Sequence, residues 1–350
     1  VGSEMCIRDR TMTETVYFGT YTQRRSQGIY TATWQPQMGK LTDVKFFSKV
    51  ANSNYLAVSE RGNLYTIFKE ATSGGVLALT SQGQEINRVG EKGFSLCHIT
   101  LDPNRRLLYG ASYHQGMIVV YRIMPDGSLV LADQIKRKGA GPHPHQEQSH
   151  AHFVGLTPDK YLVTCDLGTD SVTTYAVSAE GQLNQIANYQ SQAGAGSRHL
   201  VFHPNEKIAY LLCELNARVE VLVYDGCGYF ERLQTVSTLP PNFQGFNACA
   251  AIRLSQDGRF LYTSNRGHDS LAVFKVRKDG QLEYLETVKT NGKCPRDFTI
   301  SPDQNHLIVA HQDSDNVTIF KRHDQTGKLT LLSTDIIIPE AVCVTFKADT

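Results

Sequence analysis

The chain has 350 residues, which is enough for one large core or for two ordinary domains. Its charges nearly balance, with 35 Lys and Arg against 34 Asp and Glu, so the composition disfavours nucleic acid or membrane as a partner. No apolar run approaches the roughly 18 residues of a membrane span. The eight cysteines are sparse and form no C-x-x-C pair, which indicates reduced thiols and favours a cytoplasmic location.

The first eleven residues differ from everything that follows. Residues 1–11 show no strand alternation, no apolar core of a signal peptide and no relation to the later patterns, which begin after Met12. We therefore predict a non-native or disordered N-terminal extension over residues 1–11. The remainder, residues 12–350, is predicted to form a single domain.

One pattern recurs along the rest of the chain. An apolar strand is followed by a turn of the S-P-D-G-R kind and a second strand of the F-L-Y kind, as in Leu200–Pro204 and Ile208–Tyr210. Taking the turn proline as an anchor, the copies lie 43 to 55 residues apart. The six anchor positions are Glu60, Pro103, Pro158, Pro204, Gln256 and Pro302.

Two further short strands follow each anchor. A hairpin turn joins them, with Asp126-Gly127, Glu180-Gly181 and Asp279-Gly280 as examples. Each unit therefore contains four antiparallel strands, and helical periodicity is scarce throughout. Four-stranded units at this spacing are typical of β-propeller blades.

The two ends of the chain predict one more blade. Residues 341–346 form a single strand with no blade after it, whereas residues 15–21, 28–32 and 41–45 form three strands with no innermost strand before them. Joining these ends makes a seventh blade and removes the open sheet edges. We predict an all-β, seven-bladed β-propeller. The alternative of two separate sandwiches leaves the matching ends unexplained.

The repeat brings polar residues to one mouth of the central channel. In each hairpin the start of the first strand lies beside the end of the second, so the sixth residue before each anchor meets the tenth after it. The earlier positions hold Cys97, His152, Arg198, Ala250 and Arg296. The later positions hold Tyr113, Glu214, Arg266 and Gln312, with Asp166 near the equivalent place in a shorter hairpin. One small ligand could therefore contact several blades.

Purely structural interpretations exist for several of these residues. Arg198 and Glu214 could be an ion pair that fixes their hairpin. Arg296 could be a solvated residue at the channel mouth, and Asp166 is more typical of a carboxylate that caps the N–H groups of a turn.

The segment from His143 to His152 carries four of the twelve histidines. His150 and His152 are two residues apart and share one face of a strand, as two metal ligands would. No further Cys or His has a ligand spacing, so we predict no metal and no other cofactor. The favoured interpretation is that His152 supports acid–base or oxyanion chemistry while this segment covers the channel.

A family resemblance rests on residues 194–206, GAGSRHLVFHPNE, and on Glu214-Leu215. This stretch resembles the propeller-type lactonase family, whose pattern is G-A-G-P-R-H-x-x-F-H-P-N followed by N-E-L. This chain has Ser197 where the pattern has Pro and Cys213 where it has Asn. The H-x-H segment ending at His152 and the D-L-G-x-D segment starting at Asp166 are also similar to the family, and the likeness spans residues 14–346.

The best-known activity of that family is 6-phosphogluconolactonase. The resemblance implies a seven-bladed propeller with an active site at the channel mouth. It also implies that the functional residues of this site are His152, Arg198, Glu214 and Arg266.

From this we expect metal-independent hydrolysis of a sugar lactone, with 6-phospho-glucono-1,5-lactone as substrate. Glu214 is the preferred general base, His152 the competing one, and Arg198 stabilises the oxyanion. Residues expected to bind the substrate are Arg266, His199, His150 and Arg296. The partner is a phosphorylated sugar lactone, in a monomer or weak homo-oligomer.

Two other functions stay open. A muconate-type lactonising cycloisomerase would use the same arginines to hold carboxylates, and assaying both substrates side by side separates it from a lactonase. A non-enzymatic binding platform predicts exposed apolar patches and few charges at the channel mouth. The charges at the predicted mouth argue against the platform.

Overall fold

A computed structural model describes residues 12–347, which form seven four-stranded antiparallel sheets. The innermost strands contact one another in chain order, and the last contacts the first, so the sheets are blades of a closed ring. The predicted all-β, seven-bladed β-propeller is confirmed. The extension predicted over residues 1–11 lies outside the described residues, and no helix in the described part is long and apolar enough to cross a membrane.

Each blade is given from its innermost to its outermost strand. Blade 1 contains β28 (Ala341–Phe346), β1 (Glu14–Thr20), β2 (Gly28–Gln35) and β3 (Lys40–Lys49). Blade 2 contains β4 (Leu56–Val58), β5 (Leu64–Lys69), β6 (Ser73–Leu79) and β7 (Glu85–Lys92). Blade 3 contains β8 (His98–Asp102), β9 (Leu107–Ser112), β10 (Met117–Ile123) and β11 (Leu129–Lys136). Blade 4 contains β12 (Ala151–Leu156), β13 (Leu162–Asp166), β14 (Ser171–Val177) and β15 (Leu183–Gln190).

The remaining three blades follow the same order. Blade 5 contains β16 (Ser197–Phe202), β17 (Ile208–Cys213), β18 (Arg218–Tyr224) and β19 (Phe230–Ser237). Blade 6 contains β20 (Ala248–Leu254), β21 (Phe260–Arg266), β22 (Ser270–Val276) and β23 (Leu282–Lys289). Blade 7 contains β24 (Asp297–Ile300), β25 (His306–Ala310), β26 (Asn316–Arg322) and β27 (Leu329–Ile337).

The core lies between the blades rather than at one centre. The second strands are mostly buried, β9 and β17 along their whole length, because both faces pack against a neighbouring blade. The outermost strands are largely exposed, as in β11. Seven apolar clusters fill the seven interfaces between neighbouring blades. Trp34 and Ile308, for example, belong to the cluster between blades 1 and 7.

The tyrosine of the repeated F-L-Y strand links neighbouring blades. In three blades its buried hydroxyl donates to a glycine carbonyl in the turn between the third and fourth strands of the next blade. These bonds are Tyr65 to Gly127 at 3.0 Å, Tyr210 to Gly280 at 2.8 Å and Tyr262 to Gly327 at 2.6 Å. The three glycines have positive φ, which the hairpin turn requires. The repeat therefore includes the contact that joins one unit to the next.

Blade 1 closes the ring by combining both ends of the chain, as predicted. Strand β28 pairs with β1 in an antiparallel register that runs from Val16 opposite Phe346 to Thr20 opposite Ala341. This pairing gives blade 1 its innermost strand and leaves the circle of seven sheets without a gap.

A buried carboxylate reinforces this closure. Glu340 Oε1 accepts the backbone N–H groups of Gln23 at 2.9 Å and Arg24 at 3.0 Å, and Oε2 accepts those of Arg25 at 3.0 Å and Ser26 at 2.9 Å. One side chain next to β28 thus holds the loop that follows β1.

Asp315 adds blade 7 to the same network. Its carboxylate receives the guanidinium groups of Arg24 and Arg25, each at 2.8 Å, and the backbone N–H of Glu340 at 3.0 Å. Although burial raises the pKa of Asp315, these donors lower it to about 2. The group is therefore ionised at neutral pH.

We expect Glu340→Gln to weaken ring closure. The amide nitrogen would face two N–H donors that the carboxylate now satisfies, so the free energy of unfolding should fall by about 2 kcal/mol. Denaturant unfolding measures this change. Glu231→Gln, at an exposed position on the outer strand β19, is the matched control and should unfold like the wild type. Equal stability of both variants would contradict the role of Glu340.

Candidate active site

A pocket of about 480 Å³ opens at one mouth of the central channel, and all seven blades contribute to its wall. The structure brings together there residues at or next to the starts of the first strands and the ends of the second strands. The former are Cys97, His152, Arg198 and Arg296, and the latter are Tyr113, Glu214, Arg266 and Gln312. Its volume suits a small-molecule ligand.

The hairpin of blade 5 sets the position of Glu214. Its N–H donates to the Gly196 carbonyl at 2.8 Å, where β17 ends. Gly196 has a φ of 75°, and an added Cβ would come within 2.6 Å of the Leu215 side chain, so glycine is required in the G-A-G motif. Asp170 from blade 4 fixes the same loop by accepting the N–H groups of Gly194 at 2.8 Å and Gly196 at 2.7 Å.

Glu214 lies between two arginines from neighbouring blades. Its Oε1 accepts Arg198 Nε at 2.9 Å and Arg266 Nη2 at 2.6 Å. Backbone carbonyls orient both guanidinium groups: Arg198 donates to Ala250, and Arg266 donates to Ala248 and Cys249 at 3.1 Å each. Glu214 Oε2 has no hydrogen-bond partner within residues 12–347. One carboxylate oxygen is thus held while the other is available to a ligand.

Burial and charge together set the ionisation of this group. Burial raises the pKa of Glu214, but Arg266 and Arg198 outweigh it, so the pKa lies below its ordinary value. Burial and Arg266 lower the pKa of Arg198 to about 10. Both groups are therefore charged at neutral pH.

The pocket wall carries an excess of positive charge. Lys69, Arg198, Arg266 and Arg296 line it with Glu214 as the single carboxylate among the described residues. Arg296 stacks its guanidinium 5.2 Å from the centre of the Tyr21 ring, and its one side-chain hydrogen bond within residues 12–347 is a long contact of 3.4 Å to Gln312. Such a pocket favours an anionic ligand.

His152 lies in the wall and connects it to a buried group of aromatic rings. The His199 ring packs 5.2 Å from His152 and 5.1 Å from His98. Burial, with the nearby Arg198, lowers the pKa of His152 and His199 well below the usual histidine value, so both rings are neutral at neutral pH. In the described residues, no three His, Cys, Asp or Glu side chains come together as a metal site would need.

His199 and His150 lie outside the wall of the pocket. His199 lines a small cavity of about 10 Å³ together with His152 and Arg198. His150 lies behind Tyr113, with the two rings stacked 4.1 Å apart, and its Nδ1 is 2.7 Å from the Tyr113 carbonyl oxygen. Both histidines therefore lie next to wall residues, and their contact with the substrate stays a prediction.

The segment 143–152 does not cover the channel, contrary to the prediction. Only its last residue, His152, lines the pocket. Gln146 is fully buried and donates to the Leu167 carbonyl at 2.8 Å and to Asp170 Oδ1 at 2.7 Å, which fixes the segment against blade 4. The sequence pattern could not reveal this anchor because glutamine is typical of exposed loops.

Asp166 is a turn carboxylate, in agreement with the structural interpretation. Its Oδ1 accepts the N–H groups of His150 at 2.8 Å and Gly168 at 3.0 Å, and its Oδ2 pairs with Arg137 at 3.1 Å. The side chain is 1% exposed and takes no part in the pocket wall.

Sequence reasoning missed the contribution of blades 1 and 2 to the pocket. Asn54 is the sixth residue before the anchor Glu60, so the rule used for the other blades also identifies it. Lys69 ends β5, and Tyr21 directly follows β1, both being second strands of their blades. The signal for Asn54 is therefore present in the weak copy of the repeat around Glu60.

The fold and the site define a seven-bladed propeller with a charged pocket on its axis. The chain belongs to the lactonase family with a seven-bladed β-propeller, whose model matches residues 15–346. A 6-phosphogluconolactonase of Bacillus subtilis (strain 168) is 37% identical over 340 residues, covering 94% of this chain and 97% of the relative.

Two solved structures extend the likeness. The crystal structure of a protein from Lactobacillus plantarum shares 42% identity with a TM-score of 0.94, covering 96% of this chain and 99% of that one. The periplasmic gluconolactonase of Pseudomonas aeruginosa shares 30% identity with a TM-score of 0.88, covering 96% of this chain and 99% of that one. Membership of the family therefore rests on nearly the whole chain and not on a single motif.

We expect Glu214→Gln to destabilise the protein in a pH-dependent way. At pH 7 the variant leaves two buried arginines without their carboxylate, so the free energy of unfolding should fall by about 3 kcal/mol. The Glu214 pKa is lowered by folding, so its contribution is present above the ordinary value of 4.5 and is lost as the pH falls through the folded-state pKa. The difference in the free energy of unfolding between Glu214→Gln and the wild type should therefore shrink as the pH falls below 4.5.

Denaturant unfolding between pH 7 and pH 3 measures this difference. Glu206→Gln, at an exposed turn position of the same hairpin, is the control and should match the wild type throughout. A Glu214→Gln deficit that stayed constant over the whole pH range would contradict the ion-pair account.

Proposed function

We propose that the chain hydrolyses a sugar lactone, with 6-phospho-glucono-1,5-lactone as substrate. The observation that carries this proposal is Glu214, a pocket residue whose Oε1 is held by Arg198 and Arg266 while its Oε2 has no hydrogen-bond partner among the described residues. The excess of cations in the wall supports an anionic substrate. The names of the Bacillus subtilis and Pseudomonas aeruginosa relatives support a lactone as the reacting group.

In the proposed reaction, water attacks the lactone carbonyl carbon and Glu214 Oε2 accepts its proton. The carbonyl oxygen becomes an oxyanion in a tetrahedral intermediate. When the bond between this carbon and the ring oxygen breaks, the ring oxygen takes the proton from Glu214 as it leaves. The products are the open-chain hydroxy acid and the regenerated carboxylate, so no proton or electron is left over.

The arginines stabilise the negative charge that develops. Arg198 and Arg266 keep N–H groups beyond those bound to Glu214 and the backbone, and each guanidinium is already fixed by carbonyl oxygens. Because these donors are oriented before the substrate binds, little reorganisation accompanies the reaction. Their charge also keeps Glu214 ionised, which makes it available as a base but lowers its basicity.

His152 is the alternative general base. It lines the same pocket, and its low pKa leaves the ring unprotonated at neutral pH but also makes it a weak base. Its Nδ1 is buried without a partner within residues 12–347, beside the cavity shared with His199. Glu214 is preferred because its free oxygen belongs to the group that the two arginines hold in place.

We expect Glu214→Gln to lower kcat/KM by at least about 100-fold, as loss of a general base does. The measurement is phosphogluconolactone hydrolysis above the spontaneous rate, with circular dichroism confirming that the variant is folded. Glu206→Gln is the control and should keep wild-type activity. Full activity of Glu214→Gln with loss of activity in His152→Gln would assign the base to His152 instead.

A further inference from the structure

The pocket has a second cationic side that the proposed chemistry does not use. Glu214 and Arg198 belong to blade 5 and Arg266 to blade 6, whereas Lys69 ends the second strand of blade 2. In a ring of seven blades connected in chain order, blade 2 lies opposite blades 5 and 6. Lys69 therefore faces the Arg198–Glu214–Arg266 group from the far wall.

The backbone of Lys69 is fixed at this place. Its N–H donates to the Ala51 carbonyl at 2.9 Å, and its own carbonyl accepts Asn52 Nδ2 at 3.0 Å. The alkyl chain passes over Gly74, where an added Cβ would lie 3.1 Å from Lys69 Cδ. Lys69 is thus held beside the pocket wall, to which it contributes, by strand backbone rather than by a free loop.

Lys69 has no carboxylate partner in the described part of the chain. Its Nζ makes one hydrogen bond, to the Phe94 carbonyl at 3.3 Å, although an ammonium group can donate three. The neighbouring Glu70 pairs with Arg88 at 2.8 Å instead. His114 lines the wall nearby, and burial with the charges of His150 and Lys69 lowers its pKa, so it adds no competing charge at neutral pH.

We propose that Lys69 is a specificity-determining residue that binds the phosphate at the end of the substrate remote from the lactone carbonyl. This assignment rests on the proposed lactonase function. A six-carbon lactone phosphorylated on C6 carries its carbonyl and its phosphate at opposite ends, matching the two opposite cationic walls of one pocket of about 480 Å³. A lysine ammonium is a point charge suited to a phosphate dianion.

Arg296 is the competing phosphate ligand. It lies in blade 7, lacks a carboxylate partner among the described residues and stacks on Tyr21. Blade 7 is closer in the ring to blade 6 than to the opposite wall, so Arg296 suits the oxyanion end of the substrate better.

The test compares Lys69→Met on two substrates, glucono-1,5-lactone and its 6-phosphate. We expect kcat/KM for the phosphorylated lactone to fall about 10- to 100-fold, as loss of a charge-assisted hydrogen bond does. The value for the unphosphorylated lactone should stay within about twofold of the wild type, since the Arg198–Glu214–Arg266 wall is intact. Lys92→Met, at an exposed position of the same blade, is the matched control.

Binding of the two products separates this inference from the lactonase proposal. Calorimetry should show that Lys69→Met weakens 6-phosphogluconate about tenfold or more and leaves gluconate unchanged. Wild type that hydrolyses neither lactone above the spontaneous rate would overturn the proposed function, while the binding difference would still support the phosphate site.

Four results would overturn the assignment of Lys69. The first is an equal loss on both substrates, and the second is no loss on either. The third is a loss confined to phosphorylated ligands in Arg296→Met rather than in Lys69→Met. The fourth is the absence of any preference of the wild type for binding 6-phosphogluconate over gluconate.

Discussion

Closure of the ring is the constraint on which the rest of this structure depends. Each blade buries its two faces against its neighbours, so an open row of seven would leave two apolar faces in water. The pairing of β28 with β1 removes that defect, and Glu340 and Asp315 hold the joint with hydrogen bonds from four successive backbone N–H groups and two arginines. Strands β28 and β1, which are distant in sequence, are thereby held next to each other.

The closed ring also determines the chemistry of its centre. It collects one or more polar side chains from every blade around a single pocket, where they are partly removed from water. Bringing several arginines together is unfavourable unless a carboxylate compensates, and Glu214 does so for two of them. Arg296 and Lys69 have no carboxylate partner among the described residues. The pocket wall therefore carries a net positive charge, which favours an anionic ligand.

Much of the fold could be predicted because the repeat is local. Strand lengths, turn glycines and the spacing of anchors such as Pro204 lie within short windows of sequence, and they were sufficient to predict seven blades and the joined termini. The same periodicity predicted that Arg198, Glu214 and Arg266 would meet, since equivalent positions of equivalent hairpins lie at one mouth. The repeat was less informative at blade 2, where an acidic residue replaces the anchor proline and Lys69 was overlooked.

The sequence by itself therefore determined the architecture and the residue types at the channel mouth, because both follow from short-range alternation repeated along the chain. Only the tertiary structure decided which side chains face the pocket. His150 and His152 are two residues apart, yet one stacks behind Tyr113 and the other lines the wall. The partners that decide between such outcomes come from other blades, and no local pattern encodes which of them will be in contact. The same holds for Lys69, whose place opposite Glu214 exists only once the ring is closed.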